Sequence, residues 1–302
     1  MNHSDTKFPA RLLFTIVAEG MGDYSVSFSG PSGTRSVSAC TGGHFVGPRL
    51  QGSVVAEHSN DWLLASVADP ALQLVEGLIT LQSDAGETVL VTYRGRKSGR
   101  YGPNSARIGM YFDAGMGSLD WLNDIHAAGY VETVGPDLHI TVYELLARPA
   151  DDGVMLDVEP LYRMNGSGSI GKRYTVQGQV ADRYLSMAEH GCAMAGQLSG
   201  TWLKGFSWGP HRTGKAAETF PWQIDMRVAL RTDDGTAIIQ HYMGAISRDL
   251  VSPAVDADRS WRTTAIYETE VGGALEWLNG IVAIGIGWKD ANEAHYYYYS
   301  ML

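Results

Sequence analysis

"SLDWLNDIHAAGYV" occupies residues 118–131, and "ALEWLNGIVAIGIG" occupies 274–287. Between Leu119–Gly129 and Leu275–Gly285, seven of eleven positions are identical. Three further pairs of segments follow in the same order. "GHFVGPRLQG" (43–52) faces "GCAMAGQLSG" (191–200), which aligns His44 with Cys192 and Arg49 with Gln197. "VEGLITLQSDAGETVLVTYRG" (75–95) faces "IDMRVALRTDDGTAIIQHYMG" (224–244), and "DLHITVYELL" (137–146) faces "EAHYYYYSML" (293–302). Blocks in one order mark an internal repeat. The polar "RPADDG" at 148–153 reads as a linker, which divides the chain into units 1–150 and 151–302.

Each unit reads as strands. In "QIDMRVALRT", Ile224, Met226, Val228 and Leu230 alternate with Asp225, Arg227 and Arg231. An Asp-Gly turn follows, and "TAIIQHYMG" runs back, which is a hairpin signature. "LDWLND" predicts a short helical turn and "IVAIGIGW" a strand after it. A unit of this size built from hairpins buries its edges best by closing. The expected architecture is all-β: two tandem antiparallel β-barrels related by the internal repeat.

The 302 residues are 44% hydrophobic and 19% charged, a composition that builds a large core. A net charge of −10 with no basic run argues against nucleic acid and anionic membrane surfaces. No apolar run is long enough to cross a membrane as a helix. The run Leu12–Ala18 reads as a first strand rather than a signal peptide. Two cysteines, Cys40 and Cys192, give neither metal spacing nor a disulfide framework, so a cytoplasmic location is expected. A homo-oligomer is compatible with all of this.

Several segments together resemble a family known as domain of unknown function 3237. They are "TGGHFVGPRLQG", "NDWLL", "IDMRVALRTDDGTAII", "YETEVGGALEWLNGIVAIGIG" and the Tyr-rich end. The resemblance covers nearly the whole chain, once per half, and implies an antiparallel β-barrel in each. The halves depart from the family pattern differently. The first keeps Gly47-Pro48-Arg49-Leu50 and Asp61-Trp62 but has Glu76 and Leu78 where Asp-x-Arg is usual. The second keeps Asp225-x-Arg227 and Glu268-Thr269 but has Gln197 for the arginine, and a longer segment where Asp-Trp stands. Ungapped, Phe112 faces Glu268; a one-residue shift offers Asp113 instead.

The polar positions where the halves disagree are the candidate chemistry. Asp225 and Arg227 share a strand face. Inside a barrel Asp225 or Glu268 would serve as the base and Arg227 as the electrostatic stabiliser, with Tyr242 as donor and His241 beside them. The competing reading of each is structural: a solvated pair, a rim glutamate, a hydrogen-bonded core histidine. Arg49, His44, Trp202, Trp222 and Tyr297 are the candidate ligand-binding residues, Arg49 as an anion site of the first barrel. Trp121, Trp277, Asn123 and Asn279 survive in both copies and read as structural, as do His139 and His295. No metal spacing, Gly-x-Ser-x-Gly elbow or nucleotide loop stands in the right context. The function expected is cofactor-independent acid–base chemistry, of isomerase, cyclase or lyase type, on a hydrophobic or aromatic small molecule in the second barrel. The alternative is a non-catalytic barrel that binds such a molecule.

Overall fold

The computed structural model describes residues 4–21, 24–115, 117–166, 169–176, 182–211, 223–247, 259–289 and 293–302. The first unit contributes β1 (Lys7–Glu19), β2 (Tyr24–Gly30), β3 (Gly33–Ala39), β4 (Gly42–Val46), β5 (Gln51–Val54), β6 (Asn60–Ala65), β7 (Gln73–Ser83), β8 (Thr88–Lys97), β9 (Ser105–Ala114), β10 (Ala127–Val134) and β11 (Asp137–Leu145). The second contributes β12 (Val154–Gly166), β13 (Ser169–Val176), β14 (Asp182–Gly196), β15 (Gly200–His211), β16 (Gln223–Thr232), β17 (Ala237–Ser247), β18 (Arg259–Thr269), β19 (Val282–Lys289) and β20 (Ala294–Met301).

Both units close. In the first, antiparallel pairing runs β1–β4–β5–β7–β8–β9–β10–β11 and returns to β1. The long β7 also pairs with β6, which carries β3 and β2 as a flap beside the barrel. The second unit closes as β12–β14–β15–β16–β17–β18–β19–β20 and back to β12. There β14 and β15 are continuous where the first unit breaks each into two strands. The β7–β8 and β16–β17 hairpins turn on Gly86 (φ +83°) and Gly235 (φ +92°), a conformation that glycine adopts without strain.

The repeated Trp-Leu-Asn has a local meaning. Each copy forms one turn of 3-10 helix, Asp120–Asp124 and Glu276–Gly280, followed directly by a strand. The Asn123 amide donates to Ala114 O (3.0 Å) and accepts from Ala114 N (2.9 Å). Asn279 does the same with Thr269 (3.1 and 2.8 Å). The side chain thus ends β9 and β18 by pairing both backbone groups that the ladder leaves open. Leu122 and Leu278 are fully buried, whereas Trp121 is half-buried and Trp277 is 38% exposed. The leucine, not the tryptophan, is the core residue of the motif.

Three apolar clusters hold the molecule together. One fills each barrel, and the third lies between them, with Phe8, Leu145, Leu156, Ile266, Val282, Ile284, Ile286 and Tyr299. This third cluster explains why "IVAIGIG" is apolar at every position. Its strand is buried on both faces, with Val282, Ile284 and Ile286 at the seam and Ala283 in the second barrel. The start of β1 also pairs with β12, so the sheets of the two barrels are joined by hydrogen bonds. Equivalent residues meet at the seam. Gly109 and Thr264 hold matching register positions on β9 and β18, and a Cβ on Gly109 would lie 1.7 Å from Thr264 Oγ1.

Register also settles the ambiguous alignment. Leu90 pairs with Asp113, and Leu90's repeat partner Ile239 pairs with Glu268. Asp113 is therefore the counterpart of Glu268.

Candidate functional site

The carboxylates and arginine expected inside the second barrel lie on its outside. Met226, Val228 and Leu230 take the lumen side of β16, which turns Asp225 and Arg227 outward. On β17, Tyr242 and Gln240 point inward, so His241 also faces out. Asp225, Arg227 and His241 do converge there. His241 Nε2 donates to Asp225 Oδ1 (2.7 Å), and Arg227 Nη1 lies 3.4 Å from the same oxygen. Arg94, from the first barrel, donates to His241 Nδ1 (2.5 Å) and through Nε to Glu76 (2.6 Å). Because an arginine only donates, Nδ1 is the acceptor and His241 is neutral. Burial, and the adjacent Arg94 cation, hold its pKa below the usual histidine value despite Asp225. Burial opposes ionisation of Asp225, but the His241 hydrogen bond and the nearby arginines keep it below the usual carboxylate range. This is a cross-seam chain of charges that ties the barrels together.

Glu268 is exposed on the outer face of β18 rather than set in an apolar pocket. The Tyr242 hydroxyl lies within the barrel and donates to Met226 Sδ (2.7 Å). Arg49 is stacked over Trp121, 3.7 Å from the ring centroid. His44 is exposed and lies 3.8 Å from Glu19. Trp202 is buried against Tyr296 in the second lumen, and Tyr297 packs on Trp288 outside it. Trp222 lies outside the described residues. The four described ligand-binding candidates therefore do not share one pocket.

A cavity with ionisable walls lies instead at the mouth of the first barrel. It measures about 190 Å³ and is walled by Met21, Leu63, Val75, Val131, Leu138 and Ile140. Asp61 on β6 and Tyr93 and Lys97 on β8 bring polar groups into it. The alternation of β6 sends Asp61 and Leu63 to the cavity and leaves Trp62 exposed outside. Tyr93 Oη donates to Asp61 Oδ1 (2.9 Å). Burial pushes the Asp61 carboxyl up to about 6, although Tyr93, a backbone hydrogen bond and the Lys97 charge each pull it down. Burial, and then the Asp61 charge, raise the Tyr93 phenol well above its ordinary value. The pair is thus a titratable carboxyl and a fixed hydroxyl donor. A ~150 Å³ apolar cavity accommodates benzene, so this one has room for a single small ring or its aliphatic equivalent.

The second unit shows why the cavity belongs to the first. Gly77 leaves room for the Tyr93 hydroxyl, since a Cβ there would lie 2.2 Å from it. Its counterpart is Met226, whose sulfur meets Tyr242. Ala106 and Ile140 line the cavity, and their counterparts are Trp261 and Tyr296, whose rings pack 5.2 Å apart. By register Asp61 pairs with Gly77 and Ser207 pairs with Met226, so Ser207 holds the place of Asp61. Ile246 holds that of Lys97. The aspartate was visible in the sequence as half of Asp61-Trp62. Its counterpart was hidden, because only strand register identifies Ser207-Trp208 within the longer segment.

No curated protein matches the chain. Solved structures to which the chain is similar include a β-barrel-like protein of Acinetobacter baumannii AYE (20% identity, 45% of this chain and 94% of that one, TM-score 0.41). Another is a protein of unknown function from Rhodopseudomonas palustris (21%, 47% and 99%, 0.41). A third is described as an enzyme from Penicillium herquei (18%, 51% and 99%, 0.33). The sequence profile described as "Protein of unknown function (DUF3237)" matches residues 10–145 and again 158–301. The chain therefore belongs to the DUF3237 family and carries its unit twice, as a tandem duplication.

Proposed function

We propose that the first barrel carries out proton-transfer chemistry, of isomerase, cyclase or lyase type, on a small apolar or aromatic molecule, with Asp61 as the general base. One observation carries the reading. A buried carboxyl, with its pKa near 6, stands at the wall of an apolar cavity beside a tyrosine hydroxyl. Such a group is poised to take and return a proton near neutral pH. Tyr93 acts as a positioning residue that holds the carboxylate. A carbon acid bound in the cavity would give its proton to Asp61 and become an enolate. Return of the proton at a second carbon completes an isomerisation with no net change of atoms or electrons.

The test is hydrogen–deuterium exchange at carbon, followed by NMR in heavy water, with phenylacetone and cyclohexanone as probes. The wild-type protein is expected to catalyse exchange, and Asp61→Asn to lower the rate by about 10²-fold or more. The rate should rise with pH through about 6, because the base acts when deprotonated. Exchange that survives Asp61→Asn would overturn the reading. Saturable probe binding without exchange would establish the non-catalytic alternative.

A further inference from the structure

The cavity contains a cation that the acid–base reading does not use. Lys97 follows Tyr93 and Gly95 on the lumen-facing row of β8, lines the cavity and is half-buried. Several basic groups of the molecule pair with carboxylates, and others rest on rings or carbonyls, as Arg49 does over Trp121 and Arg96 on Tyr267 O. Lys7 meets Asp157, Arg11 meets Asp152 and Glu144, Arg94 meets Glu76, and Arg100 meets Glu159. Among the described residues, no carboxylate lies within ion-pairing distance of Lys97. Lys97 feels the charge of Asp61 but makes no ion pair with it, so a ligand anion beside this half-buried ammonium would gain a direct charge-assisted partner.

Placement gives the anion an orientation. Asn104, Ser105 and Thr133 line the cavity as neutral polar groups, while Asp61 is held deeper, buried on Tyr93. Lys97 is the more exposed of the two charged groups, so a ligand's charged group would sit towards solvent and its apolar body against Leu63, Val75 and Ile140. The internal repeat supports treating these features as one device. Where the second unit has Ser207 for Asp61 and Trp261 for Ala106, it also has Ile246 for Lys97. Base, space and cation differ together.

We propose that Lys97 anchors the ligand and that the cavity takes a small organic monoanion: one compact apolar body of about benzoate size bearing one carboxylate. The orientation of the reacting carbon towards Asp61 rests on the acid–base reading above; the anchor itself does not.

The experiment titrates the full-length protein at pH 8 with benzoate and with its neutral isostere benzamide, by calorimetry. Benzoate is expected to bind saturably and about tenfold tighter than benzamide, the scale of one charge-assisted hydrogen bond. Lys97→Met should weaken benzoate by a similar factor and leave benzamide unchanged. Lys97→Arg, which keeps the charge, should retain benzoate. Asp61→Asn should bind benzoate at least as well as wild type. Benzoate binding no tighter than benzamide, or unaltered by Lys97→Met, overturns the anchor. That failure is distinct from failure of the acid–base reading, which is decided by carbon exchange in Asp61→Asn alone.

Discussion

At the scale of single residues, the cavity is made by what is missing. Gly77 and Ala106 leave space that Met226 and Trp261 fill in the other copy. Gly77→Ala should therefore displace the Tyr93 hydroxyl from Asp61, with a loss of roughly 1–3 kcal/mol, the usual range for overpacking, read from denaturant midpoints. Asp61 carries a cost of its own. Its folded pKa is raised from 3.8 to about 6, so the folded state resists its ionisation. The penalty is absent below the unfolded value, grows as pH rises, and is complete above about 6. Asp61→Asn should thus raise stability at pH 8 by roughly 2–3 kcal/mol and confer none of that gain near pH 3.5. Urea unfolding at the two pH values reads the difference. A buried base that destabilises its fold is the ordinary accompaniment of a working site.

At the scale of elements, the sequence disclosed much of the construction. The Asp-Gly turn, the alternating strand after it and the doubled Trp-Leu-Asn were all readable, and each forms the element expected. Asn123 and Asn279 are the points of highest leverage. Replacing either with Ala leaves a backbone N–H and C=O unpaired, at the buried Ala114 of β9 or at the half-buried Thr269 of β18. Each substitution should cost roughly 1–3 kcal/mol with similar effect in the two halves, measured by thermal unfolding. Orientation was not readable. Alternation shows that Asp225 and Arg227 share a face but not which face is the lumen. In a single barrel the apolar face would settle it. Here the strands at the seam are buried on both sides, and polar residues near it make ion pairs with the other barrel. Asp61 was in view as part of a motif, but its value came from a serine whose position only hydrogen-bonded register reveals.

At the scale of the whole molecule, the seam governs stability. Ile266, Val282, Ile284 and Ile286 lie within it, so residues 151–302 expressed alone should expose a continuous apolar face and be recovered as aggregate. Size-exclusion chromatography of that fragment against the full chain is the check. The seam also sets an acid limit. His126 is fully buried, hydrogen-bonded through Nε2 to Thr264 Oγ1 (2.9 Å), and burial pushes its pKa down to about 3. The unfolded chain binds this proton below about 6.5 and the folded chain does not. Stability should therefore fall as pH drops from 6.5 towards 3, by roughly 4–5 kcal/mol in total from this group. His126→Gln should flatten that limb of the pH–stability curve, and an unchanged slope would place the acid sensitivity elsewhere, as in the His241 chain.

The meeting of Gly109 with Thr264 sets the terms on which the two copies coexist. Pairing two first halves in the same way would face glycine with glycine and leave a void. Pairing two second halves would drive threonine into threonine. At this contact each half is shaped for the other rather than for its own twin. A self-associating unit must keep one sequence for both partners, so every change is made twice. Joined in one chain and unlike at their point of contact, these halves are free of that constraint: one can fill its barrel with rings while the other keeps its barrel open.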